Sequence, residues 1–399
     1  MRVLHVSAYY APAFVYGGPP RSIHGLCKAL TAAGVEVQVA TTDANGSGRL
    51  PSEVTSARTY DGVAVRYFSR SWPNEPIGSR ALSAALPQML DHVDVVHIHG
   101  LWNRVVWAAA RAARRAQVPY VLSPRGMLQG AALAHRSWRK RIAHAAIEHR
   151  TIEGAALLHA TSSAERDTLR MMFPASHVAL IPNGIEVGQR RTSAGLPLTG
   201  SIGDEPFVLF VGRLHGIKRL DLLIDAFDIV KRTHTEAVLI VAGPDEQGLW
   251  HGLMQRHPHL AADVRWIGPV DPAARDALMG QARALVVCSD SESFGMTVLE
   301  AMAVACPVVV TTTCGWEEIE HEGAGVRVEQ SADAIAGALC RLLANRDLAL
   351  SMGERGRELA LRCYTWSAVA DRFAACYREI FARKASRAIA SGISVGGRV

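Results

Sequence analysis

Residues 284–303 read Ala-Leu-Val-Val-Cys-Ser-Asp-Ser-Glu-Ser-Phe-Gly-Met-Thr-Val-Leu-Glu-Ala-Met-Ala. A short apolar, β-branched run ends at Cys288, a polar loop carries Glu292, and Gly295 opens the backbone. Helix-forming residues then run from Phe294 to Val304 and carry Glu300. Strand, polar loop and helix in that order make the βα unit of a parallel sheet. The unit recurs outward in both directions. Phe207–Val211, Ala237–Ala242, Val264–Trp266 and Val308–Thr311 are further predicted strands, with a helix over Asp221–Thr233. The first half repeats the rhythm, with strands at Val3–Ser7, Glu36–Ala40, Val95–His99, Tyr120–Ser123 and Leu157–Ala160. Its helices are predicted over Ser22–Ala33, Arg104–Ala116 and Arg139–Thr151. Between the two series, residues 190–205 are rich in Gly, Ser, Thr and Pro without apolar periodicity, the composition of a linker. The expected fold is therefore α/β, with two doubly wound parallel-sheet domains, 1–195 and 204–365.

Composition agrees with that division. At 399 residues the chain exceeds one ordinary core and suits two. It is 49% apolar and 20% charged, the balance of a globular protein. No uncharged apolar run reaches the roughly 18 residues a membrane span needs. The opening Met-Arg-Val-Leu-His-Val-Ser is broken by His5 and Ser7 and reads as a first strand rather than a signal peptide. Seven scattered cysteines form no C-x-x-C pair, which fits reduced thiols and a cytoplasmic location. The net charge of +6 hides an asymmetry: residues 1–195 hold 22 basic and 12 acidic side chains, the remainder 21 and 25. The excess concentrates at Arg111, Arg114 and Arg115 and in residues 135–141, His-Arg-Ser-Trp-Arg-Lys-Arg. Such a stripe is either a solvated helix face or a surface for an anionic partner: nucleic acid, a phosphorylated substrate or a lipid headgroup.

In open parallel sheets, ligands sit beyond the carboxyl ends of the strands, so the strand-to-helix loops carry the candidate chemistry. The first, Tyr16-Gly-Gly-Pro-Pro20, places Gly18 at a helix start, where free N–H groups favour an anion; a plain tight turn explains two glycines equally well. The second, Gly212-Arg-Leu-His-Gly-Ile-Lys-Arg219, offers Arg213 and Lys218 as positive charges that could converge on a diphosphate, or could simply be solvated. The third carries Glu292 and Glu300, with main-chain N–H groups at Phe294, Gly295 and Met296. A carboxylate accepts from vicinal hydroxyls, which ribose and hexose both offer. A capping role at the helix start would leave Glu300, on an apolar helix, unexplained.

These strings together resemble the family 4 retaining glycosyltransferases of the GT-B fold. The spacing of Glu292 and Glu300 matches the family's E-x7-E inside S-E-S-F-G-M-T-V-L-E-A-M-A. Gly212-Arg-Leu through Lys218 matches its basic pair, and Ile181-Pro-Asn-Gly-Ile185 its interdomain turn. The resemblance implies two Rossmann-like domains facing across a cleft, with a helix after Tyr364-Thr-Trp366, over 366–384, that crosses back to the N-terminal domain. Residues 385–399 then read as a disordered tail. It implies further that Glu300 holds ribose hydroxyls and Glu292 the donor sugar, and that Arg213 and Lys218 stabilise the departing diphosphate. Phe294, Gly295 and Met296 would bind through their main chain, Gly18 would approach the diphosphate, and Pro269 and Val270 would meet the base. The sequence contains no D-x-D string, which suits members of this fold that use cationic side chains and need no metal or other cofactor.

One departure stands out. Many relatives place a His after the strand corresponding to Tyr120–Ser123, whereas this chain reads Ser123-Pro-Arg-Gly-Met-Leu128, with Arg125 there. This S-P-R-G-M-L pattern resembles a subgroup of exopolysaccharide and capsule transferases. A guanidinium stays protonated and cannot act as a base, so Arg125 is expected to position an acceptor. His97 and His99 are the alternative cleft residues. The implied partners are a UDP or GDP sugar, a glycan or lipid-linked glycan acceptor and an anionic membrane surface at the inner face of the plasma membrane, with no nucleic acid. The rival readings are an epimerase or phosphorylase of the same fold, which would need a signature of its own, such as a lysine motif for pyridoxal phosphate or a second glutamate constellation, and a non-catalytic binding module or nucleic-acid binder, which leaves the donor-site string without purpose.

Overall fold

The computed structural model describes residues 1–72, 76–128, 147–186 and 205–390, the side chains at 385 and 387–390 excepted. Residues 135–141, with the basic segment around Trp138, lie outside the described residues, as do 190–204 of the expected linker. The chain divides into two compact units, Met1–Gly184 with Trp366–Val399, and Ile185–Thr365.

The first unit is built on eight strands: β1 (Arg2–Ser7), β2 (Glu36–Thr42), β5 (Thr59–Tyr60), β6 (Val63–Phe68), β7 (Val95–His99), β8 (Tyr120–Ser123), β9 (Leu157–Ala160) and β10 (Val178–Leu180). A small separate ribbon pairs β3 (Ala44–Asn45) with β4 (Gly48–Arg49). The sheet order is β10-β9-β8-β7-β1-β2-β6-β5, parallel throughout except for the antiparallel edge β5. In this sheet the sequence reading missed the two-residue β5 as well as β6 and β10. β6 alternates buried and exposed residues, and β10 spans only three partly exposed residues, so neither shows the solid apolar run of the central strands.

The helix Gly18–Ala32 begins four residues earlier than predicted, because Pro19 and Pro20 occupy its first turn, where a missing N–H costs nothing. The helix Trp366–Ala390 belongs to this unit and packs against Gly18–Ala32. Its first residue fixes it in place. The Trp366 indole fills the space left by two glycines, and a Cβ at Gly25 or Gly184 would sit 2.4 or 2.5 Å from the ring. The helix continues to Ala390, six residues into the stretch read as tail.

The second unit carries β11 (Phe207–Val211), β12 (Val238–Ala242), β13 (Val264–Gly268), β14 (Ala284–Val287), β15 (Val308–Thr311) and β16 (Gly325–Val328). All are parallel, in the order β13-β12-β11-β14-β15-β16. Every residue of β12, β14 and β15 is buried, as expected of strands covered by helices on both faces. Numbered within the unit, this is the 3-2-1-4-5-6 order of dinucleotide-binding sheets. The succession of strands reverses between β11 and β14, the switch point at which crossovers pass to opposite faces and leave a crevice beyond the strand ends.

Candidate functional site

The two loops at that crevice are the two with the strongest sequence signal. After β11, residues 212–215 lead into a single 3-10 turn, Gly216–Lys218, whose first N–H groups are capped by His215: its Nδ1 accepts from Ile217 N at 3.2 Å. After β14, residues 288–295 form the second loop. The loops are stitched together: Asp290 N donates to Ile217 O at 2.8 Å, and the Arg219 guanidinium reaches Asp290 Oδ1 at 3.1 Å and Asp221 at 3.2 Å. Cys288 Sγ lies 3.3 Å from Arg219 O, and burial pushes its thiol up to about 12, so it is no nucleophile.

This stitching places Lys218 against Glu292. The ammonium Nζ donates to Glu292 Oε1 at 2.5 Å, and Ser289 Oγ donates to the same oxygen at 2.9 Å. The lysine side chain is 29% exposed and the glutamate 15%, so the pair sits at the rim of the crevice, shielded but reachable. Gly295, at φ +77°, then turns the chain into the helix Met296–Ala303. A Cβ there would stand 2.8 Å from Trp316 Nε1, which donates to Phe294 O at 2.7 Å. The indole thus fixes the loop's last carbonyl, and Met296 and its successors begin a helix with no side-chain cap on its N–H groups.

Glu300, one turn into that helix, is ion-paired: Arg275 Nη1 of the helix Pro272–Gln281 lies 3.0 Å from its Oε1. This arginine accounts for a carboxylate on an otherwise apolar helix, and the sequence reading missed it. Val270 is half-buried and Pro269 exposed, just beyond the end of β13 and therefore on the same edge of the sheet.

The expected convergence of Arg213 and Lys218 is not what the structure shows. Arg213 is more than half exposed and faces Glu246 at 3.9 Å, while Lys218 is committed to Glu292. The backbone explains the separation. Leu214 N donates to Pro244 O, and Gly212 N to Ala242 O, so the stretch around Arg213 follows β12 while Lys218 turns toward β14.

In the first unit the sheet reverses between β1 and β7. Gly18 opens the helix after β1, exposed and with no side chain capping the turn. Of the residues expected to line the cleft, His97 and His99 are buried and Arg125 is half-buried, all within a polar network. Arg125, at φ +58°, donates to Ser22 Oγ at 3.1 Å, to Asn183 Oδ1 at 3.0 Å and to His99 Nδ1 at 3.2 Å. His99 Nε2 faces His5 Nδ1 at 3.0 Å. A second run links Tyr377 Oη to His97 Nδ1 at 2.6 Å and His97 Nε2 to Ser123 Oγ at 2.7 Å. It continues from Ser123 Oγ to His159 Nδ1 at 2.7 Å and from His159 Nε2 to Ile181 O at 2.7 Å.

Donor and acceptor rules fix one arrangement of protons for neutral rings. Ile181 O can only accept, so His159 carries its proton on Nε2, Ser123 donates to its Nδ1, His97 Nε2 donates to Ser123, and Tyr377 donates to His97 Nδ1. Arg125 can only donate, so His99 is protonated on Nε2 and donates to His5 Nδ1. Burial, reinforced by the Arg125 charge, holds all four imidazoles far below their usual range, His5 and His159 at about 3. His5, His97 and His99 bring one ring nitrogen each within 4.8 Å of one another. They do not make a cation site: their facing nitrogens hydrogen-bond one another, Tyr377 and Ser123, and a fixed guanidinium lies 3.2 Å from His99.

The two halves of the chain match two family models. Residues 17–184 match the glycosyl transferase 4-like domain and residues 199–359 the glycosyl transferases group 1. A D-inositol 3-phosphate glycosyltransferase of Frankia alni is 30% identical over 395 residues, 89% of this chain and 92% of that one. A glycogen synthase of Mycobacterium tuberculosis is 27% identical over 404 residues, 94% of each chain. Among solved structures, Anabaena Alr3699/HepE in complex with UDP and glucose superposes with a TM-score of 0.73 at 18% identity, over 95% of this chain and all of that one. With strand orders of the Rossmann type in both units and relatives matched nearly end to end, the chain belongs to the group 1, type 4-like glycosyltransferases of the GT-B fold.

Proposed function

We propose that the enzyme transfers a hexosyl group from a UDP or GDP sugar to a glycan hydroxyl, with retention at the anomeric carbon and without a metal ion. The observation that carries this reading is the Lys218–Glu292 pair at the switch point of the second sheet, a cation and a carboxylate held side by side where a nucleotide-sugar would lie. Glu292 accepts from the sugar hydroxyls, and Lys218, with the exposed Arg213, neutralises charge on the departing diphosphate. Glu300 takes the ribose hydroxyls, and the N–H groups from Phe294 to Met296 take phosphate or sugar oxygens. The acceptor oxygen attacks on the face from which the diphosphate leaves. The anomeric carbon–oxygen bond to phosphate breaks, the new glycosidic bond forms, and the acceptor proton passes to the departing phosphate oxygen. No protein base is then required, which agrees with Arg125 standing where a His was expected.

The acceptor we assign is a lipid-linked glycan of exopolysaccharide, capsule or O-antigen assembly, met at an anionic membrane surface. Exposed Arg111, Arg114 and Arg115 on one helix support it. Turnover of a panel of UDP and GDP sugars to free nucleoside diphosphate, with and without chelator, tests the donor and the metal independence. Activity abolished by chelator, or undiminished in Glu292→Ala, would overturn the mechanism. Flotation with phosphatidylglycerol vesicles tests the surface, and binding equal to that of neutral vesicles would remove it.

A further inference from the structure

The second unit has a cavity at the end of its sheet opposite the donor loops. It measures about 480 Å³ and is lined at the strand starts by Phe207, Arg283 and Pro307 and on its sides by Glu205, Arg346 and Ala349. A strand of five residues separates the two ends by roughly 16 Å, so no group here reaches the transferred sugar.

Its charges are arranged at a cost. Arg283 Nη1 is shut off from solvent and has no hydrogen-bond partner among the described residues. Burial lowers the Arg283 pKa, and the nearby charge of Arg346 lowers it further, so the two guanidiniums repel across the space. Arg346 is also the first residue of the helix Arg346–Cys363, where the positive end of the helix dipole disfavours a cation. Glu205, on the side of the cavity, is ion-paired through Oε1 to Arg265 at 3.3 Å. Two guanidiniums, a partnerless buried N–H and a helix start all face the same need, a compact polyanion with several acceptor oxygens.

We propose that this cavity is an effector site for a small phosphorylated metabolite, its phosphate held between Arg283 and Arg346 and its organic body filling the remaining volume. The volume is in the range of ordinary small-molecule sites and exceeds what a bare phosphate occupies. Of the three strands that start here, β11 and β14 end at the donor loops, so occupancy would bear on the same sheet that positions Lys218 and Glu292.

Isothermal titration of the full chain with inorganic phosphate and with glycerol 3-phosphate tests this, glycerol serving as the neutral control. Both phosphates should bind, glycerol 3-phosphate the more tightly. Arg283→Gln and Arg346→Gln should each weaken binding by about tenfold or more, while saturating nucleoside diphosphate, which fills the donor loops, leaves it unchanged. Arg346 is exposed, so its variant keeps the test valid if Arg283→Gln unfolds. Binding lost under saturating nucleoside diphosphate but kept in the arginine variants would assign the phosphate to the donor loops and overturn the proposal. Absence of binding by either phosphate would overturn it as well.

Discussion

Lowering the pH from 7.5 to 5.5 should bring the first unit close to unfolding through its four buried histidines. His5, His97, His99 and His159 are neutral in the fold, with pKa values held far below the ordinary 6.5 by burial and by Arg125. A group whose folded pKa is depressed contributes stability above its unfolded pKa and loses it as pH falls, because the unfolded chain takes the proton first. The window therefore opens at about 6.5 and, for His5 and His159, closes near 3. At pH 5.5, one unit below the unfolded value, each ring favours unfolding by about 1.4 kcal/mol. Four rings give about 6 kcal/mol, of the order of a whole domain's stability. The groups facing them do not offset this, since Arg125 is already positive and Tyr377 stays neutral. Urea midpoints at half-unit steps of pH, read by near-ultraviolet circular dichroism, give the slope. Imidazole nitrogen spectra at pH 7.5 should show all four rings protonated on Nε2. A loss below about 1.4 kcal/mol between pH 6.5 and 5.5 means that at most one ring is buried neutral. That slope, or any Nδ1–H tautomer among the four, refutes the network.

Three further outcomes follow from single contacts. Lys218→Met should lower turnover by about a hundredfold or more with the fold intact, because on the proposed reading it removes the cation at the diphosphate; thermal unfolding checks the fold and donor hydrolysis the rate. Gly243→Ala should destabilise the second unit by more than about 2 kcal/mol and disturb the loop after β11, since Gly243 sits at φ +144° with its missing Cβ 1.8 Å from Gly212 O. Calorimetry on the variant reads the loss, and a wild-type melting temperature would contradict it. Tyr377→Phe should cost about 1–3 kcal/mol by leaving His97 Nδ1 a buried acceptor without a donor, measured from the shift in urea midpoint.

The donor loops were legible in the sequence because their chemistry is local: Glu292, Gly295 and Glu300 fall within nine residues of one βα unit, where strand end, turn and helix are each visible. Their partners were not. Lys218 meets Glu292 from 74 residues away, and Arg275 meets Glu300 from a helix whose pattern gives no reason to single it out. The same distance problem hid the histidine network, whose members come from β1, β7, β8, β9 and the last helix. A signal was nevertheless present, because His5, His97, His99 and His159 are buried in strands that are otherwise mainly apolar. The register pairs His5 with His97, Ser7 with His99 and His99 with Ser123, so polar residues that look isolated along the chain become neighbours across the sheet.

Arg125, in the loop after β8, joins this network through His99. A histidine in its place would add a fifth titratable ring to a buried cluster already constrained to be neutral. An arginine supplies a permanent donor that orients His99, and through it His5, while its other nitrogen ties Ser22 of the first helix to Asn183 at the end of the unit. The guanidinium holds His99, the first helix and Asn183 in one arrangement, and its charge state does not let it remove a proton from an acceptor. A transfer in which the leaving diphosphate takes that proton asks nothing of this position, so the substitution that first looked like a missing catalytic group is chemically consistent with an intact reaction.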